Sequence, residues 1–239
     1  MYRPRTYRYD VKSTDLVSFE VIEKETDLFI SAEKDLTQKA HSAVLNYRRD
    51  LEGYMKREPR FYSSLEPLEA KDNAPKIVRS MIESSYKAGV GPMAAVAGAM
   101  AESVGRDLVQ YSTEIIVENG GDIFIRSARP RTFGVYAGER SPFTGKLAIE
   151  VGSSLEGIGV CTSSGTISHS LSFGKADAVL IIAKSAPLAD AVATAAGNAV
   201  KSPDDIEHGI EVARSVEGVR GVLILVGDKM GSWGEIKLV

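Results

Sequence analysis

The 239-residue sequence predicts an α+β protein in one domain, residues 1–239, in which mixed or antiparallel sheets pack against about five helices. Two patterns predict it. Short β-branched runs, among them Ile115-Ile116-Val117, Ile123-Phe124-Ile125 and the stretch 176–183, are bounded by turn residues, as strands buried on both faces are. Other stretches place apolar residues every three or four positions or consist almost wholly of Ala and Gly, as expected of helices laid on a sheet. No linker of Pro, Gly or Ser divides the chain, so these elements belong to one body.

Taken in order, 16–22 alternates Val17, Phe19 and Val21 with mostly polar neighbours, and Leu28-Phe29-Ile30 follows after a charged break, which predicts an antiparallel hairpin. From Asp35 the spacing of Ala40, Ala43, Val44, Tyr47, Leu51 and Tyr54 predicts an amphipathic helix ending near Pro59, with Arg48, Arg49, Lys56 and Arg57 on its solvated face. An irregular connector over 61–71 leads to Asn73 and Pro75, a capping residue and an early proline, which open a helix striped by Ile77, Val78, Met81, Ile82 and Tyr86 and stopped by Gly89.

The next stretch, 91–102, is a helix so rich in Ala and Gly that a neighbour must approach its backbone. Gly91 and the free N–H groups at its start could face an anion. Beyond the pair of strands at 115–125, strands are expected at 132–137, 146–151, 157–161 and 176–183. A second small-residue helix with Pro187 at its start follows, then an amphipathic helix at 204–216 and closing strands at 221–226 and 235–239. The likeness of PMAAVAGAMA to PLADAVATAA hints at an internal duplication.

Composition bounds the function. With 44% hydrophobic and 26% charged residues the chain can bury a large core. A formal charge of −3 and a pI near 5.8, without a long basic run, give no electrostatic reason to expect nucleic acid. One cysteine, Cys161, rules out an internal disulfide and a multi-thiolate metal centre. No apolar stretch is long enough to span a bilayer and no apolar segment follows the basic N-terminus, so no membrane partner and a cytoplasmic location are expected.

Three motifs carry chemistry. Asn119-Gly120-Gly121-Asp122 breaks two strands. It is either a plain hairpin turn or a place where glycines let the backbone approach a ligand beside an amide and a carboxylate. Thr162-Ser163-Ser164-Gly165, reached from an apolar strand, is either a polar turn or a hydroxyl-rich loop suited to a phosphate or ribose. Asp190 and Thr194 stand four apart, which on a helix puts two oxygen donors suited to Mg²⁺ on one face. The alternative is an aspartate complementing the helix dipole and a threonine bonded to its own backbone. His169 is the one histidine in a candidate loop, since His41 and His208 fall in helical stretches. Cys161 reads as a buried small apolar residue, with no adjacent cation to lower its pKa.

The order of these motifs, with strands between them, resembles the FMN transferase (ApbE-like) superfamily, and in particular a short branch of it, over residues 90–198. The resemblance implies an ApbE-like fold that binds FAD and Mg²⁺, with either transfer of FMN to a threonine of a protein acceptor or cleavage of FAD to FMN and AMP. It implies Asp190 and Thr194 as metal ligands and Asn119, Gly120 and Gly121, with the loop 162–165, against the flavin nucleotide. His169 takes the place of the active-site histidine, and Asp122 stands as a second candidate base.

The sequence departs from the superfamily pattern at three places. Val96-Ala97-Gly98 stands where a lysine-glycine pair opens the small-residue helix, and the residues after His169 lack the Asp-Pro-x-Thr-Gly segment. The loop at 162–165 also carries one serine more than the pattern. These departures motivate an alternative: a pocket that binds FAD, FMN or another nucleotide without turnover, as a subunit of another enzyme. Exposed sheet edges make a homodimer compatible with the sequence.

Overall fold

The structure is a computed structural model and describes residues 15–139, 141–165 and 174–239. The first part of the described chain runs β1 (Val17–Glu23), β2 (Thr26–Ala32), α1 (Thr37–Arg57), α2 (Pro59–Ser63), α3 (Lys76–Ala88) and α4 (Val96–Leu108). Then come β3 (Ile115–Asn119), β4 (Asp122–Ser127), β5 (Arg131–Gly134), β6 (Ala148–Val151), β7 (Ser154–Ser163) and β8 (Ala178–Ala183). The chain closes with α5 (Ala186–Ala199), α6 (Ile206–Arg214), β9 (Val219–Val226), β10 (Lys229–Gly234) and β11 (Lys237–Leu238).

Eight strands form one antiparallel sheet in the order β1-β2-β3-β4-β7-β8-β9-β10, and β11-β6-β5 form a second. The inner strands of the large sheet are buried on both faces because they are apolar on both, while the edge strands β1 and β10 are largely exposed. Ile115, Val117, Phe124, Ile181 and Ile224 point into the core shared with the helices. Their neighbours Ile116, Ile125, Leu180, Ile182 and Leu223 point into a second core with Phe133, Ile149 and Val151 of the small sheet. The result is a helical layer, a central sheet and a small outer sheet. Alternate residues of one strand serve the two cores.

The large sheet repeats one plan, a hairpin, a helical segment and a second hairpin: β1-β2, α1 to α4, β3-β4, then β7-β8, α5-α6, β9-β10. The two alanine-rich stretches hold different places in that plan, last helix of the first half and first helix of the second. What they share is packing. A Cβ on Gly98 of α4 would lie 2.3 Å from the carbonyl oxygen of Ala186, the first residue of α5, and a Cβ on Gly105 would lie 2.3 Å from the ring of Phe124. Only glycine permits these approaches.

Several expectations are corrected. Asn73 does not cap α3, whose N-cap is Pro75 without a side-chain cap bond; Gly89 ends that helix in the left-handed conformation, as expected. The connector begins with a short helix, α2, so six α-helices rather than five stand among the described residues. The stretch from Pro92 opens as a 3-10 turn, Pro92–Ala95, before α4 starts. A Cβ on Gly91 would lie 1.9 Å from the carbonyl oxygen of Ser64, so close backbone packing requires glycine there. Strand β10 is an addition, since the sequence there shows no alternating apolar pattern.

Candidate functional site

The first-turn amides of a helix lack intrahelical partners, and those of α4 find theirs on α5. The Gly98 N–H donates to Oδ2 of Asp190 at 2.9 Å, and the Ala97 N–H also donates to that carboxylate. Asp190 therefore caps a helix other than its own. The capping is reciprocal, because the backbone N–H of Ala186 at the start of α5 donates to Oε2 of Glu102 on α4 at 2.7 Å. The other Glu102 oxygen accepts from Nε of Arg106 at 2.7 Å. Each helix thus supplies the carboxylate that the other's N-terminus requires.

The end of the central sheet closes on this helix pair. Asn119 and Asp122 face each other across the β3-β4 hairpin, with Gly120 and Gly121 between them at φ +70° and +103°. Positive φ at both central residues matches the twist of the two strands, which is why a glycine pair sits there. The Gly121 N–H donates to Oε1 of Glu118 at 2.8 Å. Asn119 reaches across to α4, where its Nδ2 donates to the Ala97 carbonyl at 3.1 Å. Asp122 lies opposite Cys161 in the β4-β7 pairing. Its carboxylate accepts from the backbone N–H of Thr162, and the Cys161 thiol beside it donates to the Ala186 carbonyl oxygen at 3.3 Å.

The buried Asp122 and the half-buried Asp190 therefore lie near enough at one end of the sheet for the charge of one to act on the other. Burial pushes Asp122 well above the usual carboxylate range, and the neighbouring Asp190 charge pushes it the same way. Burial likewise raises Asp190 to about 7, against the lowering effect of the Gly98 and Ala97 amides. The Cys161 thiol is raised by burial and by both aspartates, the opposite of what activates a thiol nucleophile. Two acids in one low-dielectric place cannot both ionise without cost. A cation there would remove the conflict.

The motifs expected to act together are largely brought together. Asn119, Gly121, Asp122, Thr162 and Asp190 meet through the bonds above, and Thr194 follows Asp190 by one turn of α5. Thr162 and Ser163 end strand β7 rather than lying in a loop; Ser164 and Gly165 follow. The Gly165 N–H donates to the Ala176 carbonyl at 3.0 Å, which ties the end of β7 to the approach to β8. His169 lies outside the described residues. Among the described residues, no group of three or more His, Cys, Asp and Glu side chains is placed to hold a metal ion, so a cation site would rest on Asp190 and the Thr194 hydroxyl.

Glu102, Glu118 and Cys161 are the neighbours that sequence reasoning did not place at the site. Arg48 and Arg49 of α1 are engaged away from this site, Arg49 with Asn46. Arg48 donates to Thr26, Glu25 and Glu52 at 2.6 to 3.0 Å, as a charged surface network does.

Comparison with known proteins agrees with this architecture. A family model described as AbpE bacteria matches residues 9–217. A UPF0280 protein of Methanococcus maripaludis is 41% identical over 89% of this chain and 88% of its own length. A UPF0280 protein of Methanocaldococcus jannaschii is 41% identical over 90% of each chain. Among solved structures, the flavinyl transferase ApbE of Pseudomonas stutzeri superposes with a TM-score of 0.59 at 15% identity, covering 92% of this chain and 94% of that one. The ApbE protein of Thermotoga maritima gives 0.54 at 14% identity, covering 90% and 96%. At such identities the likeness is one of fold, and the fold is ApbE-like.

Proposed function

The chain belongs to the AbpE bacteria family, and on that premise we propose that it handles a flavin nucleotide, cleaving FAD or transferring its FMN half with the help of Mg²⁺. The observation that carries the reading is the approach of Asp122 and Asp190 at one end of the sheet, where burial holds both above the ordinary carboxylate range and the Asp190 charge raises Asp122 further. The names of the structural neighbours, a flavinyl transferase and a flavin transferase, point to the same ligand class.

The donor set fits a hard divalent cation. It offers oxygen atoms alone, from the Asp190 carboxylate and the Thr194 hydroxyl one helical turn further along α5, with the Asp122 carboxylate as neighbour. Bound there, Mg²⁺ would neutralise the charge that builds on a pyrophosphate under attack. In this reading the Gly120-Gly121 turn and the 162–165 segment lie along the nucleotide, and Asn119 fixes the turn against α4. Asp122, the carboxylate beside Asp190, accepts the proton of the attacking group, with His169 as the second candidate.

One observation favours a second reading, a flavin- or nucleotide-binding subunit without turnover. Asp190 is already engaged by the Gly98 and Ala97 amides, as a purely structural cap would be. Incubating the purified protein with FAD, with and without Mg²⁺, and following FMN and AMP separates the two. Mg²⁺-dependent release of both products supports the enzyme, saturable binding without products supports the subunit, and neither binding nor products overturns both.

A further inference from the structure

We propose that Glu102 is a positioning residue of the candidate site, setting its affinity for a divalent cation by fixing α5 from its first residue. The inference rests on the reading of Asp190 as a cation ligand. It goes beyond it by assigning a role to a residue outside the three sequence motifs.

Three observations carry it. The Glu102 carboxylate, buried to 9% exposure, accepts the Ala186 N–H at 2.7 Å, so a group on α4 determines where α5 begins. Asp190 lies one turn further along α5 and returns the interaction to α4 at Gly98 and Ala97. Between the two bonds the backbones touch, with Gly98 against the Ala186 carbonyl so closely that a methyl group has no room. The two helices are therefore pinned at three successive points.

The consequence is specific. Asp190 is both a cap of α4 and the candidate cation ligand, so its bond to Gly98 must loosen or share its carboxylate when a cation binds. Glu102 does not change partners in that event. It keeps α5 seated on α4 while Asp190 turns to the ion, and it keeps the Asp190 backbone within reach. Outer groups that orient a ligand in this way change metal affinity by about 10- to 100-fold when removed.

The test uses Mn²⁺ as the probe, its binding to the full chain followed by electron paramagnetic resonance, with folding checked by circular dichroism. Glu102→Ala is expected to weaken Mn²⁺ binding about 10-fold or more. Glu102→Gln, whose amide oxygen still accepts the Ala186 N–H, is expected to recover most of that loss. Arg106→Ala removes the ion pair and leaves the Ala186 bond, and is expected to bind as wild type does. Glu102→Asp draws the carboxylate back by one methylene and carries the same expectation as the alanine variant, for use where that variant does not fold.

A folded Glu102→Ala or Glu102→Asp protein with wild-type affinity overturns the role of Glu102 alone. So does a glutamine variant as weak as the alanine variant, since the charge rather than the cap would then matter. Absence of Mn²⁺ binding by the wild-type chain overturns instead the cation reading, and this inference with it.

Discussion

Asp122 and Asp190 come from strands and helices far apart in the chain, yet the charge of Asp190 helps to hold Asp122 well above the usual carboxylate range. Asp122 opens β4, Asp190 lies in the second turn of α5, and the glycine at position 98 lets α4 bring the two elements to the same end of the sheet. The pair costs stability to keep, and its chemistry sets what each variant should do.

Replacing Asp190 by asparagine keeps an oxygen for the Gly98 and Ala97 amides and removes the repulsion with Asp122. Asp190→Asn is therefore expected to be at least as stable as wild type at pH 7.5, whereas Asp190→Ala, with the cap lost, should fall below the asparagine variant by about 1 kcal/mol. Urea unfolding of the three proteins checks the order.

The same pair predicts a pH dependence of stability. The folded pKa of Asp190, about 7, lies above its unfolded value of 3.8, so between these values the folded chain binds more protons than the unfolded one. Its contribution is full below about pH 4 and is lost as the pH rises to about 7. Asp122, raised in the same direction, extends the trend. Unfolding free energies at pH 5.5 and 7.5 should show this loss for wild type and a smaller one for Asp190→Asn. Saturating Mg²⁺ should restore part of the stability at pH 7.5, by the linkage that any ligand of the folded state imposes.

Gly98→Ala tests the helix contact. Its Cβ would lie 2.3 Å from the Ala186 carbonyl oxygen, backbone that cannot turn aside as a side chain can. A loss of about 1 to 3 kcal/mol is expected, read as a lower unfolding midpoint. A midpoint equal to that of wild type would show that α4 and α5 do not pack this closely.

Gly121→Ala tests the hairpin turn. The space around Gly121 is open, with Thr162 O at 3.9 Å, so the cost comes from φ +103° rather than from collision. About 1 to 2 kcal/mol is expected from the left-handed backbone alone.

Much of this was legible in the residues. Asn119-Gly120-Gly121-Asp122 announced a turn between two-sided strands, and both the turn and the two-sided burial are present. The alanine-rich stretches announced close backbone contacts, found at Gly98 and Gly105. What could not be read is set by long-range geometry. The bond from Ala186 to Glu102 joins residues 84 apart, and no periodicity signals a carboxylate that caps another helix. Glu102 stood within a stretch whose composition was fully explained by packing. Strand β10 was missed for a local reason, since Lys229-Met230-Gly231-Ser232-Trp233-Gly234 has two glycines and no apolar alternation, and its place comes from pairing with β9.

The most direct test of the central claim is FAD binding, followed by flavin fluorescence in the presence and absence of Mg²⁺, for wild type and Asp190→Ala. Saturable binding that Mg²⁺ strengthens in wild type and not in the variant is the predicted result. Binding that is equal in both proteins and indifferent to Mg²⁺ would contradict the account, and would leave Asp190 as a helix cap alone.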